Sequence, residues 1–216
     1  MKRKSVAYAV SLLFVFYITA ADAMALGLGF NLSGGGGTSE WTLEDQWVYA
    51  EYDEDVETGQ AGIGFVLDTT VAKDGIFNYR LNIGIEEGEY EFEDGGGSFE
   101  TAGWFMAHDF GFAIVRKKNL RLWAGPEIRW SYSHGEDEID SSIELDVITW
   151  GVGPVVGLNF NFRKGLTLAL KAGALGTSSV GRIEDKGMGL EWDIEGSGAY
   201  SFFNVGLIFR LGDEYP

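Results

Sequence analysis

Phe77-Asn78-Tyr79-Arg80-Leu81-Asn82-Ile83-Gly84-Ile85 alternates one apolar residue with one polar or small residue along its whole length. Successive side chains of a strand point to opposite faces. As a strand, this segment has one face of Phe77, Tyr79, Leu81, Ile83 and Ile85 and another of Asn78, Arg80, Asn82 and Gly84. A helix would scatter both sets around its circumference. The polar face decides the fold. A soluble sandwich turns that face to water and fills it with charges; here it is mostly Asn and Gly with a single Arg. That composition suits a crowded polar lumen inside an apolar outer band. The expected fold is all-β, a closed antiparallel transmembrane β-barrel.

Seven further segments repeat the pattern. Leu26, Leu28, Phe30 and Leu32 alternate with Gly27, Gly29, Asn31 and Ser33. Ala61, Ile63, Phe65 and Leu67 alternate with Gly62, Gly64, Val66 and Asp68. A fourth strand runs from about Phe99 to Val115. In the fifth, Leu120, Leu122, Ala124, Ile128, Trp130 and Tyr132 stand against Arg121, Gly125, Glu127, Arg129 and Ser131. The sixth sets Ile148, Trp150, Val152, Val156, Leu158 and Phe160 against Thr149, Gly151, Gly153, Gly157 and Asn159. The seventh sets Leu166, Leu168, Leu170 and Ala172 against Thr167, Ala169, Lys171 and Gly173. The eighth runs from about Leu190 to Leu211. Eight strands are expected; ten stay open, because Trp47 to Tyr52 could build an extra hairpin.

The connections alternate in length, as short periplasmic turns and long outer loops do in such barrels. Short turns lie near Thr69 to Gly75, at Arg116-Lys117-Lys118-Asn119 and near Arg163-Lys164-Gly165. Long loops are expected over 34–58, 86–98, 134–145 and 176–189. The short turns are basic, with Lys73, Arg116, Lys117, Lys118, Arg163 and Lys164; the long connections are acidic. Trp104, Trp130, Tyr132 and Trp150 fall toward the outer strand ends, and Phe77, Phe160 and Phe209 toward the inner ends. Aromatic rings favour the bilayer interface because one part is apolar and another polar.

Composition agrees. The chain of 216 residues carries 32 Gly, only 3 Pro and 14% aromatics. Mean hydropathy is near zero, which argues against a bundle of membrane helices but not against strands apolar on one face. Absence of Cys excludes disulfides, Cys-ligated zinc, a thiol nucleophile and a lipoprotein anchor. A net charge of −17 disfavours nucleic acid, whose phosphates require Lys and Arg.

The N-terminus reads as a targeting signal. Lys2, Arg3 and Lys4 precede an apolar run from Ser5 to Thr19, which closes on Ala21-Asp22-Ala23 and Ala23-Met24-Ala25. Residues 1–23 are expected to be a cleaved signal peptide, with cleavage after 25 as the other site, and 24–216 the barrel domain.

The last strand reads Asn204-Val205-Gly206-Leu207-Ile208-Phe209-Arg210-Leu211. It resembles the outer-membrane sorting signal, in which a polar residue, a Gly and two spaced hydrophobic residues recur; Asn204, Gly206, Phe209 and Leu211 occupy those places. The chain from residue 24 onward resembles small eight-stranded outer-membrane barrels of the OmpA and opacity type. The resemblance implies the outer membrane of a Gram-negative-type bacterium. Its implied partners are outer-membrane lipids and lipopolysaccharide, the barrel-assembly machinery and periplasmic chaperones.

Several residues carry candidate chemistry. Arg80, Arg121, Glu127, Arg129, Lys171 and Arg210 fall on the lumen face, where ionised groups need partners or water. They read as a structural ion network or as a constriction that selects solutes. Strict alternation points His108 at lipid, and a local bulge would turn it inward. Ser133-His134 with Glu136 holds the ingredients of an acyl hydrolase, but strand neighbours face opposite ways. Glu89, Glu91, Glu93 and Asp94 beside Gly95-Gly96-Gly97 suit weak binding of divalent cations through oxygen ligands; they form no dedicated calcium loop. No cofactor and no metal centre is expected. The functional expectation is a non-enzymatic barrel with a structural or surface-interaction role or a narrow pore, against the alternative of a lipid-modifying acyl hydrolase.

Overall fold

The computed structural model describes residues 26–45, 51–69, 75–93, 97–162 and 165–211. The expected signal peptide lies outside them, as do Trp47, Lys73, Asp94, Gly95, Gly96, Arg163, Lys164 and residues 212–216. The strands are β1 Leu26–Asp45, β2 Glu51–Asp68, β3 Phe77–Phe92, β4 Ser98–Lys117, β5 Leu120–Asp137, β6 Ile143–Asn161, β7 Leu166–Asp185 and β8 Leu190–Leu211. Each pairs antiparallel with its sequence neighbours, and β8 closes on β1 with Leu211 opposite Leu26. Closure gives every strand a neighbour on both sides, a condition that lipid imposes because it offers no hydrogen bonds. The ten-strand alternative fails: Tyr52 lies within β2, opposite Leu43.

The register sets the shape. From Leu32, the pairing passes through Ile63, Ile85, Trp104, Tyr132, Ile148, Val180 and Glu195 and returns to β1 at Thr42. Going once around thus shifts the strand by ten residues, from 32 to 42. A shear of this size on eight strands tilts them by about 40° and leaves an interior that side chains can fill.

The apolar residues of the alternating segments face out. Phe30, Leu32, Ile63, Phe65, Ile83, Ile85, Phe112, Ile128, Val152 and Leu207 are exposed on the wall. Trp104, Trp130 and Trp150 mark its upper rim, and Phe77 and Phe209 its lower one, all exposed. Inward glycines make room for large neighbours. A methyl group on Gly157 would fall inside the Trp123 indole, and one on Gly84 would meet Phe105 and the Ile63 carbonyl.

The four expected long loops are largely strand. β1 runs on to Asp45 and β2 starts at Glu51, while β3, β5 and β7 extend to Phe92, Asp137 and Asp185. The reason is that the hydrophobic pattern inverts above the tryptophan rim. On β3, Glu87, Glu89 and Glu91 face out while Tyr90 and Phe92 are buried inside. On β1, Trp41 is buried between exposed Glu40 and half-exposed Thr42. Below the rim the barrel is apolar outside, to suit lipid. Above it the same strands are acidic outside and apolar inside, as a water-soluble barrel would be. A search for apolar-out alternation stops where the bilayer stops.

Candidate functional site

The lumen is the candidate site, and all six charged residues expected there are buried in it. Alternation along β3, β5, β7 and β8 puts them on one inner surface, but their partners come from other strands. Arg80 donates from Nε to Asp68 Oδ2 at 2.8 Å and from Nη2 to Asn159 at 3.0 Å. Arg121 reaches Asn78 Oδ1 at 3.5 Å, and Arg210 donates to the Phe162 carbonyl at 2.6 Å. Lys171 Nζ sits between Glu127 at 2.8 Å and both Asp109 oxygens at 3.1 and 3.2 Å. Asn82 donates to Asp109 at 3.3 Å. Higher up, Arg129 pairs with Glu86.

Glu127 and Arg129, two residues apart on one face, therefore bind different partners. Asp68, Asp109 and Glu86 complete the lattice and were not singled out from sequence. Glu86 fell into an expected loop. Asp109 was legible, because alternation from Trp104 already places it inside. Buried ions lose hydration, and only close counter-ions and hydrogen bonds offset that loss. Aromatic faces add to it: Arg129 Cζ lies 4.4 Å from the Phe105 ring centroid, Lys171 Nζ 5.0 Å from Phe202 and Arg80 Cζ 5.1 Å from Trp123. The lumen is thus not purely polar, as the sequence pattern suggested. Trp123, Val155, Leu175 and Phe202 form an apolar cluster within it.

Above Arg129 lies a small chamber lined by Ser39, Thr58, Gln60, Ser131, Thr149 and Ser179 among others. Its free space of about 30 Å³ has room for about two waters. Over it, Trp41, Val56, Tyr90, Phe92, Phe99, Leu145, Val147, Ile183 and Ile194 form a continuous buried cluster. Trp41 stands 5.4 Å from Tyr90 and 5.7 Å from Phe92, ring centre to ring centre, and is fully buried. An ionic lattice therefore fills the lower lumen and an apolar core its outer end.

The other candidates lie elsewhere. Ser133 is buried inside the wall, whereas His134 is exposed and bonds Asp146 at 3.1 Å; the hydrolase ingredients do not meet. His108 faces outward. The register is unbroken around it, and the irregularity of β4 lies lower, between Ala113 and Val115. Strict alternation holds and the bulge that would turn His108 inward is not there; the Tyr79 hydroxyl, 2.6 Å from Nδ1, gives the ring a polar contact on the outer face. Of the sorting-signal residues, Asn204 and Gly206 face the lumen while Phe209 and Leu211 face out. Glu89 and Glu91 are outward strand residues, Glu89 accepting from Ser98 Oγ at 2.8 Å. Among the described residues no three of His, Asp and Glu converge as a metal site would require.

No family model matches the chain, and no curated protein does. Solved structures match its fold. The outer membrane protein OprG from Pseudomonas aeruginosa superposes with a TM-score of 0.56 at 9% identity, over 84% of this chain and 96% of that one. The outer membrane protein AlkL, solved in DMPC bilayers, gives a TM-score of 0.49 at 14% identity, over 89% and 93%. The chain has the fold of the small eight-stranded outer-membrane barrels.

Proposed function

We propose that this chain is a non-conducting outer-membrane barrel whose rigid acidic extension above the membrane is its working surface. One observation carries the reading: the lumen is filled at two levels, by the Lys171–Asp109–Glu127 lattice below and by the Trp41 cluster above. A pore needs a continuous wet path, and the chamber between those levels holds only about 30 Å³. The outward face above the tryptophans carries Glu40, Glu57, Glu87, Glu89, Glu91, Glu100 and Glu136, all exposed. Carried on strands and backed by a packed core, these residues project from a fixed backbone.

Such a surface attracts cations and basic partners. In the outer membrane it stands among lipopolysaccharide phosphates, where weakly held divalent cations bridge the two sets of anions. The separation of Ser133 from His134 favours this reading over acyl hydrolysis. Planar-bilayer recording on the refolded protein tests it. No steady conductance is expected from the native chain. A reproducible open state would overturn the reading and restore the pore.

A further inference from the structure

The inner end of the lumen gathers like charges. β4 carries one extra residue, Ile114, between Ala113, which pairs with Trp123, and Val115, which pairs with Leu122. Plain alternation from the inward Ala113 would turn Arg116 outward. The bulge reverses that, as bulges re-aim the side chains beyond them. Arg116 instead pairs with Arg121, whose side chain is buried in the lumen. Directly opposed residues share a face, with Cβ atoms about 5 Å apart, and like charges so placed repel. Arg80 is a second like-charged neighbour of Arg121, and Asp68 is the opposite one. Arg210 adds a cation in the row of Asp68, across Gly27. Higher up, Asp109 and Glu127 are taken by Lys171. Among the described residues, guanidinium groups thus outnumber carboxylates at this end of the lumen.

Neutral donors add to the cations. Asn78 Oδ1 accepts from Arg121 at 3.5 Å and Asn159 Oδ1 from Arg80 at 3.0 Å. Each bond fixes which end of the amide is oxygen and leaves the Nδ2 group to donate. Both amides are fully buried, and neither Nδ2 has a hydrogen-bond partner among the described residues. A buried donor without an acceptor carries a cost. We propose that the inner mouth of the lumen is a phosphate-binding site, in which the oxyanion lies between Arg116 and Arg121 and takes up the spare Asn78 and Asn159 donors. A guanidinium fork offers a phosphate two parallel N–H donors. A phosphate group carries roughly −1.5 to −2 near neutral pH, which suits a place where guanidinium groups exceed carboxylates. Arg116 is exposed and Arg121 buried, so the anion enters from the Arg116 side. The site needs no open pore. Free phosphate and the phosphate of an anionic lipid headgroup share this chemistry.

The full-length protein, refolded in dodecyl maltoside, an uncharged detergent without phosphate, is titrated with inorganic phosphate at constant ionic strength, chloride being the balancing anion. The side-chain amide resonances of Asn78 and Asn159 are expected to shift and saturate with phosphate and to stay in place with chloride alone. Arg116→Gln is expected to weaken that binding roughly tenfold. Without phosphate the same variant is expected to resist denaturant at least as well as the native chain, because it removes a repulsion. Added phosphate should then protect the native chain more than the variant. A second arm uses phosphatidylcholine vesicles with and without phosphatidylglycerol, in phosphate-free buffer. Amide shifts with phosphatidylglycerol assign the site to a lipid headgroup, and shifts with inorganic phosphate alone assign it to a soluble ligand. Amides that neither anion moves would overturn the proposal. So would shifts that chloride reproduces, or shifts that Arg116→Gln leaves unchanged.

Discussion

Leu32 points out of the barrel and Trp41, nine residues further along the same strand, points into it. No bulge separates them: β1 pairs residue for residue with β2 and β8 throughout. Alternation is preserved and only the chemistry changes sides, across Gly34-Gly35-Gly36-Gly37. Leu32 answers to lipid and Trp41 to a core, so one strand obeys two solvents in turn.

That core makes the extension above the membrane a folded body. Trp41→Ala removes its largest fully buried side chain and leaves a cavity. The expected loss is about 3–5 kcal/mol, read by denaturant titration in lipid. Proteolysis should then cut between β1 and β2 while the membrane-embedded strands stay protected. A variant as stable as the native chain would mean that the cluster is not packed in solution.

Among the described residues, Lys171 is the one cation paired with both Asp109 and Glu127. Lys171→Met strands two carboxylates and is expected to cost about 3–5 kcal/mol, as when one partner of a buried pair is removed. Adding Asp109→Asn and Glu127→Gln to Lys171→Met should recover most of the loss. Equilibrium unfolding of the single and triple variants checks this, and a triple variant no better than the single one would refute the lattice.

Leu207 lies on the outward row of β8, half-exposed to the surroundings. Leu207→Arg should destabilise the barrel in lipid by roughly 2–4 kcal/mol if it sits near the midplane, less toward an interface. Reversible folding into vesicles gives the number. No change would place this face away from hydrocarbon.

Asp140, in the exposed turn between β5 and β6, accepts the Ser142 N–H at 3.0 Å. That bond holds its pKa below the usual carboxylate value. A folded pKa below the unfolded one means that the contribution is present at neutral pH and is lost as pH falls through the folded value. The Ser142 amide resonance should therefore hold its position past about pH 4, the ordinary aspartate value, and move only at lower pH. A midpoint at or above that value would show the turn open.

Strand count, direction and facing were legible from residue order in the membrane-embedded half. Lipid demands an apolar outer face from every strand, so each segment carries the signal locally: Phe77 to Ile85 suffices to read β3, and Gly206, Phe209 and Leu211 to read β8. The six lumen charges were legible for the same reason. Alternation assigns a side to each residue without knowledge of any neighbour.

Tertiary structure alone decided the rest. Which carboxylate meets Lys171 depends on a ten-residue shear that brings β4, β5 and β7 to one level, and shear belongs to the closed ring. That Trp41, Tyr90 and Leu145 meet could not be read from any of their strands, since each alone looks like a polar loop with a stray hydrophobic residue. Only closure turns their inward faces toward one another, and only then does burial from water reward the inversion. Residue order is enough for a barrel and its inner and outer faces, because those follow from the solvent against one strand; the register and the packed interior had to wait for eight strands to close.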